Sequence, residues 1–148
     1  MTHKDPRTLR WAVRWMVGGP PSVAECMDKR VHTVRPDTEI LDALQFLLKH
    51  RVTGAPVVDQ EGRLLGMLTE KHCLRLLTEG VHAERPQGCV ESFMQTELVT
   101  VSPDMDVYYA AGLFMNHSFR RLPVVENGKL VGAITRLDIL RAIQARLR

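Results

Sequence analysis

Residues Val23–Leu77 of this 148-residue chain align with Val90–Ile143, and this internal repeat limits the possible folds more than any other feature. The offset is 67 residues up to Gln60 and 66 after a one-residue gap, and 17 of the 55 positions in the first copy are identical. Pro36/Pro103, Asp37/Asp104, Pro56/Pro123, Gly66/Gly132 and Thr69/Thr135 are among them. A copy of about 55 residues is too small to be comfortable alone, so the two copies are expected to pack their sheets together.

Each copy reads β-α-β-β-α, an α/β (α+β) pattern. A short extended segment (Thr33-Val34, Thr100-Val101) meets Pro-Asp, where Asp37 and Asp104 are candidate helix N-caps. The helix that follows carries Ile40, Leu44, Leu47 and Leu48 on one face, matched by Val107, Ala111 and Phe114. Buried-strand runs come next at Ala55–Val58 and Leu122–Val125. Turns at Glu61-Gly62 and Asn127-Gly128 lead into Leu64–Leu68 and Leu130–Ile134. Asn-Gly supports a type I′ hairpin turn. Thr69 or Thr135 then opens a second helix, with Leu74 and Leu77 or Ile139, Leu140 and Ile143 as its apolar residues. The expected divisions are a basic N-terminal segment at 1–22, repeats at 23–80 and 90–148, and a linker at 81–89.

The net charge of +3 is accounted for by residues 1–22, where Lys4, Arg7, Arg10 and Arg14 stand against Asp5. The rest of the chain balances 16 basic with 16 acidic side chains, which argues against a nucleic-acid-binding body. Cys26, Cys73 and Cys89 are odd in number, lack C-x-x-C spacing and read as free thiols. No run approaches the roughly 18 apolar residues of a membrane span, and the basic start lacks the long clean apolar stretch of a secretory signal. The chain is therefore expected to be cytoplasmic.

Two residues carry the chemistry most plainly. Thr135 ends the last strand and Asp138 follows three positions on, the spacing of a helix capping box. The same hydroxyl, beside the free N–H groups of a helix start, can also donate to a phosphate, and the carboxylate can accept from both hydroxyls of a ribose. Both readings stand on the sequence. Arg120 and Arg121, just before the central strand, can pair with phosphates as forks or form a solvated surface pair. The first copy has Thr53-Gly54 there and His72 in place of Asp138, so its equivalent site is less suited to an anion or a diol.

The ordered pattern V-x-x-x-M, TV-x-PD, H-x-x-x-x-x-PVV and G-x-L-x-G-x-x-T, occurring twice, resembles the cystathionine-β-synthase (CBS) domain. Two in tandem resemble a Bateman module, and the resemblance covers residues 23–143. It implies two repeats related by a pseudo-twofold axis, two clefts between them and dimerisation into a disc-like homodimer. It also implies binding of an adenosine-containing ligand such as AMP, ADP, ATP or S-adenosylmethionine, and regulation of a partner protein. In that family, G-h-h-[ST]-x-x-D at a strand end is the phosphate-and-ribose motif, and Gly132–Asp138 matches it completely. The ligand-binding set so implied is Thr33, Val34, Pro36, Asp37, Arg120, Arg121, Pro123, Thr135 and Asp138. A weaker second set comprises Thr53, Gly54, Ala55, Thr69, His72, Thr100 and Val101.

No catalytic motif accompanies these residues: G-x-S-x-G, G-x-x-x-x-G-K-[ST], G-x-G-x-x-G and H-E-x-x-H are all missing. His72, Cys73, His82 and Cys89 match no zinc spacing, and no metal or required cofactor is expected. His50 and His117 occupy the same repeat position, at the end of the first helix, where a helix dipole favours them. Within "LRWAVRWMVGGPPS", Leu9, Val13, Met16 and Trp15 can share a helical face opposite Arg7, Arg10 and Arg14. That segment can pack on its own module, anchor to a partner or an anionic membrane, or be a tail. The expectation is a ligand-sensing regulatory protein. The alternatives are a purely structural or interaction dimer with no physiological nucleotide, and a DNA-linked regulator steered by the basic N-terminus.

Overall fold

A computed structural model describes residues 18–79 and 87–147. The expected helix around Leu9–Met16, the 81–86 part of the linker and the side chain of Leu77 lie outside the described residues. The elements are helices α1 (Val23–Cys26), α2 (Ile40–His50), α3 (Glu70–Glu79), α4 (Val107–Asn116) and α5 (Arg136–Arg146), with strands β1 (Gly54–Val58), β2 (Leu64–Thr69), β3 (Arg121–Glu126) and β4 (Lys129–Thr135). A 3-10 turn spans Val90–Ser92. The result is a mixed α/β fold with two small sheets, β1-β2 and β3-β4. They fall in two compact units. One takes Arg30–Val99 with Asn127–Leu130, and the other takes Met1–Lys29, Thr100–Glu126 and Val131–Arg148.

In the β1–β2 unit, the strands pair antiparallel from Gly54↔Thr69 to Val57↔Gly66, with an irregularity between Val57 and Val58. Val34 runs parallel to Val57, donating to Pro56 O at 3.0 Å and accepting from Val58 N–H at 3.0 Å. Met67 and Gln95 exchange both backbone bonds at 2.9 Å on the other side. Helix α2 buries Ile40, Ala43 and Leu47, a helical i, i+3, i+7 stripe, and α3 adds Cys73 and Leu76. Val34, Ala55, Val57, Leu68 and Val90 complete the buried cluster. Asn127–Leu130, the turn and the first two residues of β4, also belong here, with Leu64 N–H donating to Gly128 O at 3.1 Å and Leu130 N–H to Gly62 O at 3.0 Å.

The β3–β4 unit repeats the plan. Val101 runs parallel to Val124, donating to Pro123 O at 3.1 Å and accepting from Val125 N–H at 2.8 Å. Asp28 and Ala133 exchange backbone bonds at 2.9 and 3.0 Å. Helix α4 buries Val107, Ala110 and Phe114, and α5 buries Ile139. The turn joining β3 to β4 has φ of 53° at Asn127 and 80° at Gly128, the two positive values a type I′ turn requires.

Three details depart from the sequence reading. Asp37 and Asp104 do not cap helices: Thr38 N–H bonds to Arg35 O and Met105 N–H to Ser102 O, so each Pro-Asp makes a turn. The helices start after Glu39 and Asp106, and Asp106 Oδ1 accepts from Tyr109 N–H at 3.0 Å. The apolar stripes are also rotated by one position. Leu48 is 70% exposed, Leu74 58% and Leu140 61%, while Ala43, Ala110, Cys73 and Leu76 are buried; Ala111 is half-buried. Finally, each unit includes a short segment that precedes the other repeat's strands. Pro21 to Asp28 bonds to the second copy's turn and strand, through Val23 N–H to Met105 O (2.7 Å), Ala24 N–H to Pro103 O (2.9 Å) and Val107 N–H to Pro21 O (3.0 Å). Gly88 to Gln95 does the same for the first copy, through Val90 N–H to Thr38 O (2.9 Å), Glu91 N–H to Pro36 O (3.0 Å) and Ile40 N–H to Gly88 O (3.0 Å).

Candidate functional site

Thr135 is the last residue of β4 and the N-cap of α5, in extended backbone geometry with φ −114° and ψ 169°. Its Oγ1 accepts from Asp138 N–H at 3.2 Å, and Asp138 Oδ2 accepts from Thr135 N–H at 2.8 Å. The capping box anticipated by the spacing is therefore closed. It holds the carboxylate in one place. Asp138 Oδ1 faces Arg141 NH1 at 3.6 Å, and that guanidinium is 72% exposed against 18% for the Asp138 side chain. One oxygen is thus spent on the helix, while among the described residues the other faces a surface cation, a partner worth little in water.

Beside it, Arg136 NH2 donates to Phe114 O at 3.3 Å, and its guanidinium lies 5.8 Å from the Phe114 ring centre. The first residue of α5 thus ties it to the end of α4. Sequence reasoning missed this residue, because an Arg following the capping Thr has no distinctive spacing. Arg120 is exposed, Arg121 half-buried and Pro123 buried at the start of β3. Cys26, on α1 of the same unit, donates to Ser22 O at 3.2 Å. Burial, then the Glu25 charge, push its thiol up to about 11, so it is not a prepared nucleophile.

The other expected residues divide between the units. In the β1–β2 unit, Val34 and Ala55 are buried, Thr33, Pro36, Gly54 and Thr69 half-buried, and Asp37 and Thr53 exposed. In the β3–β4 unit, Thr100 is exposed and Val101 buried. His72 does more than its sequence position suggested. Its Nδ1 accepts from Thr69 N–H at 3.0 Å and lies 2.9 Å from Thr69 Oγ1, so an imidazole does the capping that Asp138 does in the second copy. The histidines at the ends of the first helices are ring-stacked. His50 lies 4.0 Å from His32 and 4.4 Å from Phe46, and His117 lies 4.8 Å from Phe119. Burial, then His32, lower the His50 pKa, opposite to the effect of a helix C-terminus. Among the described residues, no three His, Cys, Asp or Glu side chains gather as metal ligands, and no helix is long and apolar enough to cross a membrane.

Two copies of one plan, each a bridging segment, a helix, a two-stranded hairpin and a second helix that opens at the Thr ending a glycine-bearing strand, define a tandem CBS-domain pair. The CBS domain model matches residues 23–79 and 90–145, and the chain belongs to that family. It is similar to the CBS domain-containing protein YhcV of Bacillus subtilis, with 38% identity over 119 residues, covering 80% of this chain and 82% of that protein. It also matches the A-adding tRNA nucleotidyltransferase of Aquifex aeolicus at 32% identity over 136 residues, but spans only 15% of that protein's length. It spans 42% of the MJ1225 protein of Methanocaldococcus jannaschii, at 29% identity. Among solved structures, CBSX2 in complex with AMP superimposes with a TM-score of 0.74 at 33% identity, covering 84% of this chain and 97% of that one. The CBS domain pair of protein MJ0100, in complex with 5′-methylthioadenosine and S-adenosyl-L-methionine, gives 0.69 at 25% identity, covering 85% and 98%. Related CBS pairs therefore bind adenosine-containing ligands.

Proposed function

We propose that this chain is a ligand-sensing regulatory module rather than an enzyme, and that it binds an adenosine-containing nucleotide through Thr135 and Asp138. The observation that carries this reading is the division of labour at Asp138. Oδ2 is fixed by the Thr135 amide, leaving Oδ1 pre-positioned and, among the described residues, facing the exposed Arg141. A ribose hydroxyl can take that oxygen without opening the cap. The Thr135 hydroxyl and the first N–H groups of α5 favour a phosphate, and Arg120 and Arg121 supply its counter-charge. Thr33, Val34, Pro36 and Asp37 are our candidates for the adenine, with Pro123 holding the β3 backbone. Thr53, Gly54, Ala55, Thr69, His72, Thr100 and Val101 form a weaker second set. AMP, ADP, ATP and S-adenosylmethionine are the compounds to try first. Binding would shift the population of two conformations that a cytoplasmic partner protein distinguishes, by no more than the ligand's differential affinity for them.

The experiment is thermal unfolding against AMP, ADP, ATP, S-adenosylmethionine, NAD(H) and cyclic di-AMP, on wild type, Asp138→Asn and Asp138→Ala. A ligand at 100 times its Kd adds about 2.7 kcal/mol, which is several degrees for a chain of this size. The shift should appear in wild type and shrink in Asp138→Asn, which keeps an acceptor for Thr135. No shift with any compound would leave Asp138 a helix cap.

A second reading, a structural or protein-interaction homodimer, has its own support. Leu48 and Met115 are repeat-equivalent, as are Leu74 and Leu140, and all four are exposed, at 70%, 85%, 58% and 61%. A face repeated within one chain suits a partner with the same repetition, which is a second copy.

A further inference from the structure

The two repeats close the start of their second helix with different chemistry at one position. In α5 the acceptor is Asp138 Oδ2, at 2.8 Å from Thr135 N–H. In α3 it is His72 Nδ1, at 3.0 Å from Thr69 N–H. A backbone amide always carries its hydrogen, so Nδ1 must offer its lone pair, and the neutral ring must carry its proton on Nε2. Thr69 Oγ1, 2.9 Å from the same nitrogen, can donate to that lone pair as well.

We propose that His72 makes the start of α3 a proton-sensitive cap, closed while the imidazole is neutral and released when a proton takes Nδ1. Protonation turns the acceptor into a donor facing a donor, and it sets a positive charge at the positive end of the helix dipole. The carboxyl of Asp138 keeps an acceptor oxygen in either protonation state, so α5 has no such release. One repeat is thereby proton-sensitive and its twin is not.

The surroundings favour the neutral ring. Neither β2, packed against α3, nor β1 carries a titratable side chain. The other elements of that core bring Asp42, Lys49 and His50 on α2 and Glu91 in the 3-10 turn, while α3 itself carries Glu70, Lys71, Cys73, Arg75 and Glu79, the last with its side chain outside the described residues. Among the described residues, only Arg75 acts on His72 as a charge. Burial first, then Arg75, hold the imidazole below its ordinary value of 6.5. A histidine lowered on folding stabilises the fold above its unfolded pKa. That stability is lost as pH falls through the lower folded value.

The test compares wild type with His72→Asn and His72→Asp, both of which put a side-chain oxygen acceptor at this position. Nitrogen-detected NMR of the histidine ring at about pH 7.5, where the neutral form dominates, should give the Nε2–H tautomer for His72. Between about pH 7.5 and about pH 5, the wild-type Tm should fall about 2–4 °C further than that of His72→Asn. Every other histidine is common to the three proteins, so its contribution cancels. An Nδ1–H tautomer, or the same Tm–pH slope in wild type and His72→Asn, overturns the proposal. Should both variants fail to fold, the wild-type tautomer and the pH dependence of Thr69 amide exchange decide it. Unchanged exchange across the His72 titration then counts against the cap.

Discussion

Asp138 shows how one side chain holds two jobs, and how substitution can separate them. Asp138→Ala removes the acceptor for Thr135 N–H and should lower stability by about 1 kcal/mol by denaturant unfolding, whereas Asp138→Asn should lower it less. Gly132 and Gly66 are constrained differently. A Cβ on Gly132 would stand 2.7 Å from Met27 Sδ and 3.0 Å from Asp28 O; one on Gly66 would stand 2.6 Å from Met94 Sδ and 2.8 Å from Gln95 O. A methionine tip can move, but a carbonyl paired to the strand cannot move without opening the pairing. Gly132→Ala and Gly66→Ala should each cost about 1–3 kcal/mol. The repeated glycine and the Thr-x-x-Asp spacing were legible in the sequence. The capping role of His72 was not, because histidine is not among the side chains known for capping and only the ring's placement reveals it.

Strands were read from sequence more accurately than helix faces. Runs that end in paired valines, such as Pro56–Val58 and Pro123–Val125, flanked by turn residues, leave little choice of register. Helices α2 and α3 each carry more apolar residues than one face needs, so the stripe could be placed one position away from where it lies. The N-caps moved two residues because Pro-Asp at the end of an extended segment serves a turn as readily as a helix start. At the other end of α2, Arg51 is left-handed (φ 53°, ψ 43°), with its N–H bonded to Leu48 O at 3.2 Å and Val52 N–H to Leu47 O at 3.1 Å. This is the Schellman arrangement, which favours glycine at that position. Arg51→Gly should therefore stabilise the protein by about 0.5–1 kcal/mol, read from the urea midpoint at unchanged slope.

For the whole molecule, the sequence repeat gave the number of sheets and the order of elements. It carried no sign that Pro21–Asp28 and Gly88–Gln95 would each serve the other repeat, since a short segment with one buried valine looks alike whichever sheet receives it. The exposed Leu74 and Leu140 make a prediction at this scale. Leu74→Arg with Leu140→Arg should convert a dimer to a monomer in light scattering while leaving the far-ultraviolet circular dichroism unchanged. A wild-type protein that is already monomeric would remove the case for self-association.

The exchanged segments also set a timetable for synthesis. Met67 on β2 gains its outer neighbour only when Gln95 has left the ribosome, so the first sheet stays open along one side while the linker is made. Met27 and Asp28 wait far longer, for Gly132 and Ala133 near the end of the chain. At about 5–20 residues per second, that wait is roughly 5–20 s. During it, a nascent chain carries an uncommitted arm and an uncovered strand edge, which a second nascent chain on the same message could supply and accept in turn.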